Sequence, residues 1–199
     1  MKGFSIVVAA TNSFGIGRKG DLPWKIAEDM NYFKKITTSI VVDKIYPSNL
    51  NRMNVVIMGR KTYESIPTKF RPLAGRLNVI LSKNENLRNS MDIPDNVIVS
   101  KSLSDALELL ATEEYKDIVS DVFVIGGGQI YSEAIHSSYC SKIYLTEILT
   151  DIPDLDTFFP TISANKFVLC KRSPLHQDQN HSYRFTGMSY ELAYCLYTC

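Results

Sequence analysis

The chain has 199 residues, 45% of them hydrophobic and 22% charged, with a net charge of +1. That length fits one domain with a substantial core, and the near-zero charge offers no global attraction for nucleic acid or a membrane, so any anion site must come from local Lys and Arg. Cys140, Cys170, Cys195 and Cys199 show neither Cys-x-x-Cys spacing nor a nearby His pattern, which excludes a zinc motif and fits reduced thiols in a cytoplasmic protein.

Residues 4–10 form a continuous, β-branched apolar run. Lys2 before it gives a faint likeness to a signal peptide, but the run is too short and lacks a cleavage region. It reads as a strand covered on both faces, hence a parallel sheet. No run reaches membrane-spanning length. Residues 15–20 then match G-x-G-x-x-G letter for letter. A dinucleotide fingerprint must open directly into a helix. Here Pro23 blocks one, so the glycines are expected to shape a mobile loop that closes over a site. Leu22 and Trp24 give that loop apolar side chains to place over a ligand.

A helix is predicted over residues 26–38. Ile26, Asp29, Met30, Phe33 and Ile36 fall at spacings of three and four, on one face. Asp29 is then a carboxylate among apolar side chains, where burial raises its pKa and suits it to proton handling. Glu28 and Asp29 equally suit a first helical turn facing the dipole. Residues 39–52, with Pro47, Asn49 and Asn51, read as a surface insertion.

A second strand is predicted at 54–58, ending at Gly59, Arg60, Lys61 and Thr62: a phosphate seat, or a strand-to-helix turn with solvated charges. Arg71 and Arg76 bracket Leu73, an arrangement suited to a carboxylate-bearing ligand with an aromatic body. Strands at 77–81 and 97–99 end in Ser82-Lys83 and Ser100-Lys101. That repetition at one sheet edge fits the extra phosphate of NADP, although Ser is also an ordinary N-cap. An amphipathic helix at 102–110 needs only a structural role. A fifth strand at 121–125 runs into Gly126, Gly127 and Gly128 and a helix from Gln129. Strand, glycines and helix make the better pyrophosphate site. A sixth strand is predicted at 142–148, a loop at 154–160, and two closing strands at 166–171 and 189–197 as an antiparallel hairpin.

The order of the pieces is specific: Gly15-Ile16-Gly17, Leu22-Pro23-Trp24, Asp29 five residues later, Tyr32-Phe33, Val56 to Thr62, Ser65-Ile66-Pro67, Arg71-Pro72-Leu73, Gly75-Arg76, Val124 to Tyr131, and Asp156 to Pro160. Across nearly the whole chain this closely resembles dihydrofolate reductase. Asp29-Met30 and the insertion look like the reductase domain of protozoan bifunctional dihydrofolate reductase–thymidylate synthase. The resemblance implies one reductase domain over 1–199, cut from a longer chain or standing alone. The implied fold is α/β: a mostly parallel twisted sheet of about eight strands with an antiparallel C-terminal edge, flanked by helices.

The resemblance also implies roles. Asp29 matches the essential acid, bonding the pterin and supporting N5 protonation through water, with Leu22, Trp24 and Thr146 beside the chemistry. Val7, Val8, Met30, Phe33, Ile66, Leu73, Ile125, Tyr131 and Thr146 match the substrate pocket, and Arg76 the grip on the glutamate α-carboxylate. NADPH is the implied cofactor. Ala9, Ile16, Gly17, Gly20 and Asp21 match its nicotinamide end and the mobile loop. Gly59, Arg60, Lys61, Thr62, Leu81, Ser82, Lys83, Ser100 and Lys101 match its adenosine and 2′-phosphate end. Ile125, Gly126, Gly127, Gly128, Gln129, Ile130 and Tyr131 match the pyrophosphate turn, with a cis Gly126–Gly127 peptide. Implied partners are dihydrofolate, antifolate inhibitors and a fused or associated thymidylate synthase, with no metal, membrane or nucleic acid. Tyr63 and Met30 depart modestly from other members. A pyrimidine reductase of riboflavin synthesis and a non-catalytic folate or NADPH binder remain as alternatives. The Trp24–Asp29 spacing, Arg76 and the intact acid weigh against them.

Overall fold

The computed structural model describes residues 3–40 and 52–190. Most of the insertion expected at 39–52, the end of the strand expected at 189–197, and Cys195 and Cys199 lie outside the described residues. The strands are β1 Phe4–Thr11, β2 Gly15–Gly17, β3 Met53–Gly59, β4 Arg76–Leu81, β5 Val97–Ser100, β6 Val119–Val124, β7 Cys140–Ile148, β8 Thr157–Phe158, β9 Phe167–Arg172, β10 His176–Gln177 and β11 Ser182–Tyr190. The helices are α1 Ala27–Thr38, α2 Arg60–Ser65, α3 Leu87–Ser90, α4 Leu103–Leu110 and α5 Gly128–Ala134.

The main sheet runs β10-β11-β7-β1-β6-β3-β4-β5, with β9 also paired to β11. From β7 to β5 every pairing is parallel. β11 is antiparallel to β7, β9 and β10. This is the expected α/β fold with its antiparallel edge. The continuous apolar runs are buried on both faces because side chains alternate along a strand. Ile6, Val8, Val55 and Ile57 pack with Leu103, Leu107 and Ala134 of α4 and α5. Val7, Val56, Met58 and Phe123 pack on the other face, with Phe33 and Ile36 of α1 against them.

α1 departs from the expected continuous apolar face. Ile26 and Asp29 are buried, Phe33 and Ile36 half-buried, and Met30 is 53% exposed. The N-terminal half of the helix borders a cleft rather than the sheet. Its C-terminal end is fixed by buried Asn54, whose Nδ2 donates to the carbonyls of Thr37 and Ser39.

The glycine-rich stretch opens no helix. β2 pairs with β8, a backbone bridge joins Arg18 to Asp21, and helix begins only at Ala27. The loop expected at 154–160 thus contains β8. The last strand also needs correction: β11 starts at Ser182 rather than Ser189. Its buried residues are Tyr183, Thr186 and Ser189, so hydroxyl side chains line its inner positions and no apolar period marks it.

Candidate active site

Asp29, in the first turn of α1, is 8% exposed. Thr146, in β7, donates a 2.6 Å hydrogen bond from Oγ1 to Asp29 Oδ1. Burial pushes the Asp29 carboxyl above the ordinary carboxylate range, and the Thr146 hydroxyl pulls part of that back. Among the described residues no cation pairs with it. A buried acid held by one hydroxyl and no counter-charge keeps its proton more readily than an exposed carboxyl does, which suits it to proton handling.

Asp29 lines a cleft of about 360 Å³ with Asp21, Leu22, Trp24, Met30 and Pro67. Trp24 is buried with Ile26, Ile148 and Tyr183. Its indole Nε1 has no hydrogen-bond partner among the described residues, so the cleft wall carries a buried donor that a polar ligand can satisfy. Leu22 is exposed at the mouth. The loop before it is pinned where Lys19 N donates to Asp156 Oδ2 at 2.7 Å and Asp156 N donates to the Gly17 carbonyl at 3.1 Å.

Val7, Phe33, Ile66, Leu73 and Ile125 belong to one apolar cluster. Val8 does not reach it: its side chain lies in the opposite cluster, because neighbours on a strand face opposite ways. Tyr131 is also buried on that far side, donating to the Val7 carbonyl at 2.7 Å. Arg76 stands at the end of the apolar wall. Its Nη1 donates to Thr37 Oγ1 at 2.7 Å, and its guanidinium lies 5.7 Å from the Phe33 ring centroid. Arg71 instead donates to the Tyr63 and Glu64 carbonyls. Both arginines touch the cluster, Arg71 over the Tyr63 ring at 5.4 Å and Arg76 over the Phe33 ring of α1.

A second group of residues gathers at the C-terminal ends of the parallel strands. Gly59 N donates to the Gly126 carbonyl at 2.7 Å, and Gly126–Gly127 is cis, as the resemblance implies. Gly126 has φ +115°, which favours glycine. A Cβ at Gly127 would come within 3.2 Å of Thr62 Oγ1. Bare backbone is therefore presented between the two glycine turns, a cradle that a side chain would fill. Ser82 N donates to the Ser100 carbonyl, joining the two Ser-Lys ends. Lys101 pairs with Glu85 at 2.9 Å and Arg60 with Glu64 at 2.7 Å. Lys61 and Lys83 are exposed beside them. Gln129 is exposed, while Ile130, Ile16 and Leu81 pack toward the α4–α5 core. Ala9 sits opposite Thr146 in the sheet, and Gly20 is exposed with φ +81°. Thr37 and Glu85, which bond Arg76 and Lys101, carry no sequence signal, and Glu28 and Asp156 stand in the sequence only as a first-turn acid and as the start of a motif, without the contacts they make to Tyr183 and Lys19. Their contacts are long-range or solvent-exposed and leave no local spacing.

A dihydrofolate reductase family profile matches residues 3–192. A bifunctional dihydrofolate reductase-thymidylate synthase of Glycine max is 43% identical over 185 residues, covering 92% of this chain and 33% of that protein. A dihydrofolate reductase of Schistosoma mansoni is 38% identical over 194 residues, covering 97% and 94%. One of Pneumocystis carinii is 43% identical over 162 residues, covering 80% and 74%. The chain thus spans about a third of the length of its bifunctional relatives. No helix among the described residues is long and apolar enough to cross a membrane. With the sheet order, the buried Asp29 and these matches in hand, the chain belongs to the dihydrofolate reductase family, oxidoreductases that work with a nicotinamide cofactor.

Proposed function

We propose that this chain reduces 7,8-dihydrofolate to 5,6,7,8-tetrahydrofolate with NADPH, in the cytoplasm, feeding one-carbon metabolism and thymidylate and purine synthesis. Residues 1–199 act as one reductase domain. A fused or associated thymidylate synthase fits the bifunctional Glycine max relative, and antifolates would compete for the same cleft. The observation that carries the reading is Asp29, a buried carboxyl bonded to Thr146 and lining the cleft.

Asp29 accepts from the pterin amino group and its adjacent N–H, and supports protonation of N5 through water. Leu22, Trp24 and Met30 exclude water and fix the ring. Phe33, Ile66, Leu73, Ile125 and Val7 enclose the pterin and aminobenzoyl rings, and Arg76 takes the glutamate carboxylate. The bare backbone of Gly126–Gly128 and the turn at Gly59–Thr62 hold the cofactor's pyrophosphate and adenosine end. Ser82, Lys83, Ser100 and Lys101 take its 2′-phosphate, while Ala9, Ile16, Gly17, Gly20 and Asp21 flank its nicotinamide. Bound NADPH supplies the hydride for C6 of dihydrofolate. Orientation of the two reactants accounts for up to about 7–11 kcal/mol of barrier.

The test is NADPH consumption by the purified chain. Oxidation strictly dependent on dihydrofolate supports the reading. Tight NADPH binding without dihydrofolate turnover overturns it and moves attention to a riboflavin-pathway pyrimidine.

A further inference from the structure

The turn of α1 that carries Asp29 has no side-chain cap, because Ile26 stands at the N-cap position. β11 holds it instead. Tyr183 Oη donates a 2.6 Å hydrogen bond to Glu28 Oε2. Four residues on, Tyr32 packs on Phe185 with ring centroids 4.2 Å apart. Glu28 and Tyr32 share a helix face, and Tyr183 and Phe185 share a strand face. Contact at two points fixes the helix in rotation as well as in distance. The same strand pairs with β7, where Phe185 lies directly opposite Thr146. One strand therefore grips both partners of the Asp29–Thr146 bond. His176, opposite Tyr183 in β10, stacks on its ring at 5.7 Å and places Nδ1 3.3 Å from Glu28 Oε1.

We propose that Glu28 and Tyr183 are positioning residues for the reaction: their hydrogen bond sets the place of Asp29 relative to Thr146. The inference rests on Asp29 being the proton-handling group. Neither residue lines the cleft; Glu28 reaches it through its neighbour Asp29, and Tyr183 also packs in one buried cluster with Trp24, which does line it. Burial and the Glu28 carboxylate raise the Tyr183 phenol pKa, which keeps it a donor across the working pH range.

The experiment is a double-mutant cycle on the hydride-transfer rate, with Tyr183→Phe and Thr146→Val singly and together and thermal midpoints alongside. Tyr183→Phe keeps the ring against His176 and Phe185. It is expected to lower the rate roughly tenfold, less than the ~10²-fold cost of a full ångström of misplacement. In the Thr146→Val background the same change is expected to do little more to the rate while lowering the midpoint equally in both backgrounds. Glu28 is exposed, so its variants probe the same bond without entering the core. Glu28→Gln still accepts from the phenol and should keep most of the rate, whereas Glu28→Ala should match Tyr183→Phe. Equal fold losses in both backgrounds, or no loss, overturn the inference. Asp29→Asn runs beside them: a wild-type rate there would sink the reading of Asp29 itself. A crippled Asp29→Asn with additive losses would sink only the clamp.

Discussion

Thr146 Oγ1 and Asp29 Oδ1 lie 2.6 Å apart, although 117 positions separate the two residues in the chain. The sheet holds Thr146 from both sides, between Ala9 of β1 and Phe185 of β11. The hydroxyl offsets part of the cost of burying a carboxylate, and burial still wins, since the pKa stays raised.

That balance makes Asp29 a stability liability at neutral pH. A raised folded-state pKa contributes stability below the unfolded value, near 3.8, that is lost as pH rises through the folded value. Asn can still accept from Thr146 and never ionises. Asp29→Asn should therefore melt higher than wild type at neutral pH. The gap should close as pH falls below about 4. A lower midpoint at neutral pH would contradict the burial argument.

Thr146→Val should move the pH–rate profile. Under the proposed role of Asp29 the rate should fall as pH rises and the acid loses its proton. Removing the one hydroxyl that favours the carboxylate raises the pKa further, so the midpoint of that fall should shift to higher pH. A shift to lower pH would show that Thr146 does not act on Asp29 as its geometry implies.

Arg76→Leu separates binding from chemistry. A charge-assisted hydrogen bond is worth about 1.5–3 kcal/mol, so KM for dihydrofolate should rise roughly 10–100-fold with kcat nearly unchanged. Thr37 keeps its bond to the Phe33 carbonyl at 2.8 Å, so the fold should lose little. An equal fall in kcat would place Arg76 in the chemical step instead.

Glu85 pairs with Lys101 at 2.9 Å and, under the proposed 2′-phosphate role, would compete with the cofactor for it. Their side chains are 77% and 69% exposed, and such pairs are weak. Glu85→Ala should lower KM for NADPH by no more than about fivefold and leave NADH unaffected. An equal gain for both cofactors would mean that Lys101 does not meet the 2′-phosphate.

The sheet was legible because its parallel strands are continuous apolar runs, visible at 4–10, 54–58 and 121–125. Asp29 was legible as an acid at helical spacing among apolar residues. β11 was not, because its buried positions are Tyr183, Thr186 and Ser189 rather than aliphatic side chains. β8 and β10, two residues each, are too short to show a period. Tyr183 and Glu28 are 155 positions apart, and Lys19 and Asp156 are 137 apart. Such contacts follow from topology, and no local spacing encodes them. Val7 and Val8, both matched to the pocket by resemblance, place their side chains in different clusters because neighbours on a strand face opposite ways.

The most direct measurement is the single-turnover rate of dihydrofolate reduction by Asp29→Asn beside wild type, with NADPH affinity and circular dichroism recorded on the same samples. The account predicts a loss of roughly 10²–10⁴-fold in rate, with NADPH binding and fold preserved. A folded variant that reduces dihydrofolate within about threefold of wild type, far short of an acid–base contribution, would contradict the claim that Asp29 handles the proton.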